Sequence, residues 1–204
     1  MSAIPHLTGV SPEEYLRRER LAEFKSEYHD GEIVAMSGAS RFHNRIVRNL
    51  TILLGNQLRD RPCQNYVGDM RVSVRGGKSY FYPDIAVTCG QEEFADDQFD
   101  TLLNPIVVIE ILSPSTEACD RGSKFLAYQT IPSLREYVLI TPSPRRFEVY
   151  RRQGGGGWLY ESWAFSPSPL VLQSIDCTLA PHEVYFKVED EDSQEPHHNE
   201  PDRN

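Results

Sequence analysis

The sequence predicts a mixed α/β (α+β) fold in one domain, and three observations support this prediction. Residues 106–112 form the apolar run IVVIEIL, which is typical of a strand buried on both faces of a sheet. Residues 41–58 repeat apolar side chains at a spacing near 3.6, as an amphipathic helix does. The chain has 204 residues and 39% hydrophobic content, so it can bury one sizeable core.

The N-terminal sequence predicts a short helix followed by a hairpin. Ser11 can cap a helix whose first residue is Pro12, and this helix should run to about Ala22. Residues 24–36 (FKSEYHDGEIVAM) then form two extended arms around Asp30-Gly31. This dipeptide supplies the positive φ angles of a tight turn, so the two arms should pair as a hairpin.

The helix predicted at 41–58 has one apolar face and one basic face. Its apolar stripe consists of Ile46, Leu50, Leu53 and Leu54, and its basic face carries Arg41, Arg45 and Arg48. At about 100° per residue, His43 projects into the apolar stripe rather than toward the arginines. We therefore expect His43 to face the interior.

The rest of the chain alternates extended and helical patterns. Extended segments are predicted at 63–76, 79–88 and 106–112, with a polar loop at 90–104 between the last two. A helix at 119–129, a strand at 135–142 and a hairpin at 145–165 with a four-glycine loop complete the pattern. The order is helix, three strands, helix, strand, and then further strands.

The charge of the chain is concentrated at its C-terminal end. The formal net charge is −9, and residues 189–204 contribute seven acids and one arginine, which leaves a net of −3 for residues 1–188. A polar segment with so few apolar residues cannot bury enough surface to offset the entropy cost of ordering. We therefore predict a folded domain at 1–188 and a disordered acidic tail at 189–204.

The sequence also indicates where the protein resides. No run approaches the roughly 18 apolar residues of a membrane span, and the N-terminus lacks the pattern of a secretory signal. Four cysteines (Cys63, Cys89, Cys119 and Cys177) contain no CxxC pair and show no recognisable disulfide framework. We expect a cytoplasmic protein with no membrane partner and with reduced thiols.

Two acidic residues stand in otherwise apolar strands, and they point to a metal site. Glu110 interrupts the run at 106–112, and Asp84 lies in the segment 79–88. If these strands are neighbours, one register brings both carboxylates together, and then either one of them stays protonated or a cation lies between them. Mg²⁺ suits such a pair because it binds one or two carboxylates and keeps sites for phosphate oxygens. Alternatively, each acid pairs with an arginine or accepts hydrogen bonds from backbone amides.

Several motifs resemble those of a known family. They are YPD at 82–84, VVIEILSPST at 107–116, DRGSKFLAY at 120–128 and LREYVLITP at 134–142, with SEYHDGEIVAM and SRFHNRIV upstream. Together they resemble the Uma2 family of the PD-(D/E)xK nuclease superfamily over roughly residues 10–185. The resemblance implies a restriction-endonuclease-like core of helix, three strands, helix and strand around a mixed central sheet. The N-terminal helix and hairpin and the C-terminal strands would be additions to that core.

The same resemblance implies a metal-dependent endonuclease acting on DNA. It assigns Asp84 and Glu110, with the backbone carbonyl of Ile111, to Mg²⁺ or Mn²⁺, which would activate a water for attack on a phosphodiester. The superfamily's lysine normally stands two residues after the glutamate, where this chain has Leu112. We expect Lys124 to replace that lysine. The alternative for Lys124 is a solvated helix lysine that pairs with Asp120. Asp120 is more simply explained as an N-cap than as a metal ligand.

Glu27 and His43 also match the family pattern, and each could orient the water. Glu27 would be an additional metal ligand or a base, and His43 would reach the metal-bound water from the N-terminus of its helix. The alternative for His43 is a neutral core histidine bonded to a backbone carbonyl.

The basic residues indicate how a nucleic acid could bind. Candidates to follow a phosphate backbone are Arg59, Arg61, Arg71, Arg75, Lys78, Arg145, Arg146, Arg151 and Arg152. A homodimer would combine two modest patches into a larger groove. The competing hypothesis is a non-catalytic module that binds nucleic acid or a protein partner, because Leu112 occupies the lysine position and the chain is acidic.

Overall fold

The computed structural model describes residues 7–36, 38–164 and 167–188, so the tail predicted at 189–204 lies outside the described residues. The helices are α1 (Pro12–Glu19), α2 (Arg41–Leu58), α3 (Glu117–Cys119), α4 (Phe125–Tyr128) and α5 (Pro181–Val184), and a π-helical turn (Asp120–Lys124) joins α3 to α4. The strands are β1 (Ser26–His29), β2 (Glu32–Ala35), β3 (Cys63–Val67), β4 (Arg71–Val74), β5 (Ser79–Phe81), β6 (Ile85–Cys89), β7 (Thr101–Leu102), β8 (Val107–Ile111), β9 (Glu136–Thr141), β10 (Arg146–Arg152), β11 (Trp158–Ala164), β12 (Leu170–Leu172) and β13 (Cys177–Leu179).

The N-terminal helix and hairpin form as the sequence predicts. The Ser11 hydroxyl accepts the backbone N–H of Glu14 at 3.2 Å, which caps α1. The helix ends at Glu19 rather than near Ala22, because the N–H groups of Leu21 and Ala22 bond three residues back in a tightened turn. Asp30 and Gly31 both have positive φ, at 48° and 103°, so the turn between β1 and β2 is the expected tight one.

The described chain forms two large sheets and a small sheet of two strands, β12-β13, and β8 lies inside the larger of the two large sheets. The six-stranded sheet has the order β11-β10-β9-β8-β6-β3, and the five-stranded sheet has the order β2-β1-β5-β4-β7. β8 pairs with β9 in parallel and with β6 in antiparallel orientation, so the larger sheet is mixed. The predicted mixed α/β fold with a mixed central sheet is confirmed.

The strand boundaries around the larger sheet differ from the prediction. The segments 63–76 and 79–88 are not single strands, because the chain turns at Gly68 (φ 59°) and at Pro83, which has no N–H to give to a ladder. Each segment therefore contributes one strand to each sheet. Asp84 lies where the chain crosses from one sheet to the other. The predicted loop at 90–104 also contains β7, which pairs in parallel with β4.

The prediction that all four thiols are reduced is wrong. Cys63 and Cys89 lie directly opposite each other in the antiparallel pair β3–β6 and form a disulfide, with their Cα atoms 4.0 Å apart. Their separation of 26 residues gave no spacing pattern, since only the register of the two strands brings them together. Cys119 and Cys177 are free.

Both faces of the larger sheet are covered, which explains the apolar run of β8. Ile46, Leu50 and Leu54 of α2 pack in one buried cluster with Ile109. Ala127 and Tyr128 of α4 pack in a second cluster with Val108 and Leu112 on the opposite face. Within the described ranges, no helix has both the length and the apolar character needed to cross a membrane.

Candidate active site

Asp84 and Glu110 come together at one end of the β6–β8 pair. Ile85 pairs with Ile109, so the next position outward places Asp84 opposite Glu110. The Asp84 backbone N–H points to Glu110 Oε2 at 3.4 Å, and the Ile111 N–H donates to Asp84 Oδ2 at 2.7 Å. The neighbouring strands predicted from the sequence therefore exist, and their register brings the two acidic residues together.

Lys124 reaches the same cluster from the π-helical turn. Its Nζ lies 2.9 Å from Glu27 Oε1, 3.3 Å from Asp120 Oδ1 and 3.4 Å from Glu110 Oε1. The side chain is only 8% exposed, so it is not the solvated helix lysine considered as the alternative. Leu112, at the position where the superfamily has its lysine, is buried in the apolar cluster beneath α4.

Burial controls the charges of Glu110 and Lys124. Burial raises the pKa of Glu110 well above its usual value; Lys124 opposes this shift, and Asp120 and Asp84 add to it. Burial alone would lower the pKa of Lys124, but the surrounding carboxylates outweigh it and raise that pKa well above its usual value. Lys124 is therefore a fixed cation among acidic groups.

Asp120 and Glu27 are both buried beside Lys124. Asp120 is not an N-cap, because it lies inside the continuous helical segment 117–128 and is buried beside Lys124. Glu27 lies on the hairpin strand β1 and is buried, and its Oε1 accepts the Tyr82 N–H at 3.3 Å. Burial would raise the pKa of Glu27, but Lys124 and then His29 overcome this, and the net shift is downward.

His43 contacts Asp84 directly. From the first turn of α2, its Nε2 lies 3.0 Å from Asp84 Oδ1, and both side chains are mostly buried. Its Nδ1 is buried and has no hydrogen-bond partner among the described residues, so the alternative of a core histidine bonded to a backbone carbonyl does not hold. Asp84 is therefore held through one oxygen by His43 and through the other by the Ile111 amide.

These side chains line one cavity of about 610 Å³. Asp84, Glu110, Lys124, Glu27 and His43 all border it, and so does Ile111. On another part of its wall, the hydroxyl of Ser113 lies 3.0 Å from those of both Ser115 and Thr116. The cavity is open enough for a ligand, and its polar groups converge from β1, α2, β6, β8 and the helical segment that follows.

The cluster carries more negative than positive groups. Three carboxyl groups (Glu27, Glu110 and Asp120) contact the ammonium of Lys124, and Asp84 lies next to Glu110. Across the described residues, no three His, Cys, Asp or Glu side chains come close enough together to hold a metal ion on their own. Asp84 and Glu110 nevertheless provide the hard oxygen donors that Mg²⁺ uses when the substrate supplies the remaining ligands.

Sequence reasoning missed Tyr128, which helps to fix Glu110. Its hydroxyl lies 3.2 Å from Glu110 Oε1, and its ring is fully buried. Burial and then Glu110 raise the pKa of Tyr128 well above its usual value, so the hydroxyl remains a donor to the carboxylate. The available signal was spacing: Tyr128 follows Lys124 by four residues, which places both on one helix face.

Two of the arginines expected to follow a phosphate backbone are buried. Arg71 is 2% exposed and forms an ion pair with Asp100 at 2.8 Å. Arg151 is also buried, and it donates to Glu136 at 3.0 Å. Arg152 donates to the carbonyls of Gln129, Ile131 and Leu134. These arginines join elements of the fold, so any nucleic acid must use other cations.

A family comparison shows to which family the chain belongs. The model of the Uma2 family, described as "Putative restriction endonuclease", matches residues 12–180. The chain belongs to the Uma2 family. The resemblance inferred from the sequence motifs is thereby confirmed, and all five candidate side chains lie inside the matched range.

Two curated relatives are similar to most of this chain. The Uncharacterized protein sll1609 of Synechocystis sp. is 42% identical over 146 residues, which cover 72% of this chain and 82% of that one. The Uncharacterized protein slr1290 of the same organism is 37% identical over 176 residues, which cover 86% and 91% of the two chains.

A solved structure shares the Uma2 fold. It is the crystal structure of "a putative nuclease belonging to DUF820" from Anabaena variabilis, with a TM-score of 0.74 and 20% identity. The match covers 88% of this chain and 99% of that chain. The predicted restriction-endonuclease-like fold is confirmed by this likeness.

Proposed function

We propose that this Uma2 protein is a Mg²⁺- or Mn²⁺-dependent endonuclease that hydrolyses phosphodiester bonds of DNA. The observation that carries the proposal is the convergence of Asp84, Glu110 and Lys124 on one cavity. Membership of the family and the shared fold support a nuclease function at the coarser level.

The residues present fit a divalent cation. Asp84 and Glu110 are oxygen donors from neighbouring strands, and the cluster has an excess of carboxylates that an added cation would offset. We assign these two side chains, with the Ile111 carbonyl, as the groups that would hold Mg²⁺ or Mn²⁺. Bound there, the cation would supply positive charge for the phosphate and lower the pKa of a water molecule.

The chain's own residues prepare the site for this chemistry. His43 and the Ile111 amide each bond one oxygen of Asp84, which fixes the orientation of that carboxylate. Three carboxyl groups hold Lys124 in one conformation, so its ammonium is already in position when a phosphate enters the cavity. Glu27, with its pKa lowered, is available as an ionised base toward a water in the cavity.

The proposal is tested by incubating supercoiled plasmid with the purified protein and Mg²⁺ or Mn²⁺. Wild type should produce nicked circles, and Asp84→Asn should lose at least about a hundredfold in rate because it removes one of two carboxylates. A matched control is Asp176→Asn, which changes an exposed aspartate on a distant turn and should cut like wild type. Equal inactivity of wild type and Asp84→Asn across metals and DNA forms would refute catalysis.

The second candidate is a non-catalytic module, and two observations favour it. Leu112 occupies the usual lysine position and is buried in the core, and Arg71 and Arg151 are committed to ion pairs. Calorimetry with MnCl₂ separates the two candidates. The endonuclease requires a binding isotherm that Asp84→Asn weakens, whereas the module predicts no Mn²⁺ binding together with retained affinity for DNA.

A further inference from the structure

Three arginines along one side of α2 form a strip of positive charge. Arg41, Arg45 and Arg48 follow one another at spacings of four and three residues, so they are neighbours on the helix surface. Among residues 7–36, 38–164 and 167–188, no carboxylate forms an ion pair with any of them. Arg45 donates to the Lys187 carbonyl. Arg48 donates to Asn49 Oδ1. Because like charges at these spacings repel one another, this arginine strip is a surface suited to an anion.

The arginine strip begins at the edge of the candidate active site. Ser40 caps α2, and both Ser40 and His43 line the cavity, so Arg41 lies between two of its lining residues in the sequence. Arg41 is exposed, and its guanidinium lies 4.6 Å from the centroid of the Phe42 ring. A polyanion that extends out of the cavity past the start of α2 can therefore continue along the arginine strip.

The last described residues run along α2 toward this same end of the helix. The Asn49 side chain donates to the Phe186 carbonyl at 2.9 Å. One turn closer to the start of α2, Arg45 donates to the Lys187 carbonyl at 2.7 Å. The residue one further turn along the same row of the helix is Arg41. The chain is therefore directed toward Arg41 where the described residues end.

The sequence that follows is acidic. Residues 189–192 read Glu-Asp-Glu-Asp, and residues 189–204 contain seven acids and one arginine, a net charge of −6. Arg41 is one helical turn, about 5.4 Å, beyond Arg45, whereas four residues of chain can span up to about 14 Å. The four carboxylates are therefore within reach of the arginine strip, and their charge is complementary to it.

We infer that residues 189–192 bind the arginine strip and occupy it in place of the phosphates of a nucleic acid. Carboxylates on consecutive residues present negative charge at close intervals, as a phosphate backbone does, and guanidinium groups bind both kinds of anion. A competitor on the same chain acts at a high effective concentration, so weak binding is enough to exclude DNA. Only the competition with DNA rests on the proposed function; the contact between the acidic segment and α2 does not.

Two variants of the full chain separate this contact from an effect of net charge. The proximal variant carries Asp190→Asn, Glu191→Gln and Asp192→Asn. The distal variant carries Glu195→Gln, Glu200→Gln and Asp202→Asn. Each variant removes three negative charges, so an effect of net charge alone would be the same in both.

Amide chemical shifts report the contact without DNA or metal. In ¹H–¹⁵N correlation spectra at low salt, the proximal variant should differ from wild type at the amides of residues 41–48, and the distal variant should not. In about 1 M salt, where the Debye length is about 3 Å, the differences in α2 should disappear. Shift changes in α2 that are absent, or equally large in both variants, would overturn the inference. Changes centred on another surface would overturn it as well.

Fluorescence polarisation with a labelled DNA duplex in EDTA measures the competition. The proximal variant should bind at least about fivefold more tightly than wild type, as expected if the acidic segment occupies the strip about 80% of the time. The distal variant should stay within about twofold of wild type. In a background with Arg41→Gln and Arg48→Gln, both at exposed positions, the proximal substitutions should lose their effect. An equal gain in both backgrounds, or from both acidic-segment variants, would overturn the inference.

The inference and the proposed function can fail separately. A contact seen by NMR in a protein that neither binds nor cuts DNA would overturn the proposed function, and with it the competition, while the contact stands. Plasmid nicking by a wild-type protein whose α2 amides do not respond to the proximal substitutions would overturn the inference and leave the nuclease in place.

Discussion

Replacing Lys124 by Met would remove the ammonium that contacts Glu27, Glu110 and Asp120. Met keeps a similar unbranched side chain, so the substitution changes charge more than volume. The Lys124 side chain is 8% exposed, so solvent screens little of the loss. Removing one partner of a buried ion pair costs about 3–5 kcal/mol. For a domain of this size, that corresponds to a fall in melting temperature of about 6–20 °C.

Urea unfolding followed by circular dichroism at pH 7.5 in EDTA measures this loss. The matched control is Lys78→Met, at an exposed position in the turn between β4 and β5, which should change the free energy of unfolding by less than about 0.5 kcal/mol. A loss below about 1 kcal/mol for Lys124→Met would show that this ammonium does not neutralise the acidic cluster. The role assigned to Lys124 as the replacement lysine would then have no electrostatic basis.

Three further predictions concern one residue of the site and two interactions elsewhere in the fold. Tyr128→Phe removes the hydroxyl bonded to Glu110 and should lower the free energy of urea unfolding by about 1–3 kcal/mol, because the carboxylate loses a buried donor. An unchanged urea midpoint would contradict that hydrogen bond. The pKa of Asp100 lies well below its usual value because Arg20 donates to it, an effect that outweighs burial and that Arg71 reinforces. The contribution of Asp100 to stability is therefore complete above about pH 4 and is lost as the pH falls through the lowered pKa. In thermal melts, the stability difference between wild type and Asp100→Asn should shrink from pH 7 to pH 2. A difference that stays constant over this range would exclude the pairing of Asp100 with Arg20. Cys63→Ser should cost about 3 kcal/mol, because it removes the disulfide. Thiol titration should find three free thiols per chain in this variant and two in non-reduced wild type, and four in non-reduced wild type would contradict the disulfide.

Much of the fold was predictable because local patterns and tertiary packing agree. The α2 stripe of Ile46, Leu50 and Leu54 faces the core as its spacing indicates, and the Asp30-Gly31 turn forms between paired strands. The candidate site was predictable for a related reason: an acidic residue in an apolar strand needs a partner, and that requirement singled out Asp84 and Glu110.

The remaining features depend on packing that no local pattern encodes. The two strands on either side of Pro83 belong to different sheets, although the segment 79–88 reads as one extended run. The burial of Glu27 follows from the position of β1 beside β5, and the burial of Arg71 follows from the ion pair with Asp100. The Cys63–Cys89 bond is visible only once the register of β3 and β6 is known.

A crystal of the wild-type protein grown with MnCl₂ and measured at a wavelength where manganese scatters anomalously would decide where the cation binds. We predict one strong anomalous peak within about 2.0–2.4 Å of carboxylate oxygens of both Asp84 and Glu110, with the Lys124 ammonium on the same side of the cavity. The absence of a peak there, or a peak held by other side chains while the Asp84–Glu110 site stays empty, would contradict a metal-dependent nuclease centre at this position.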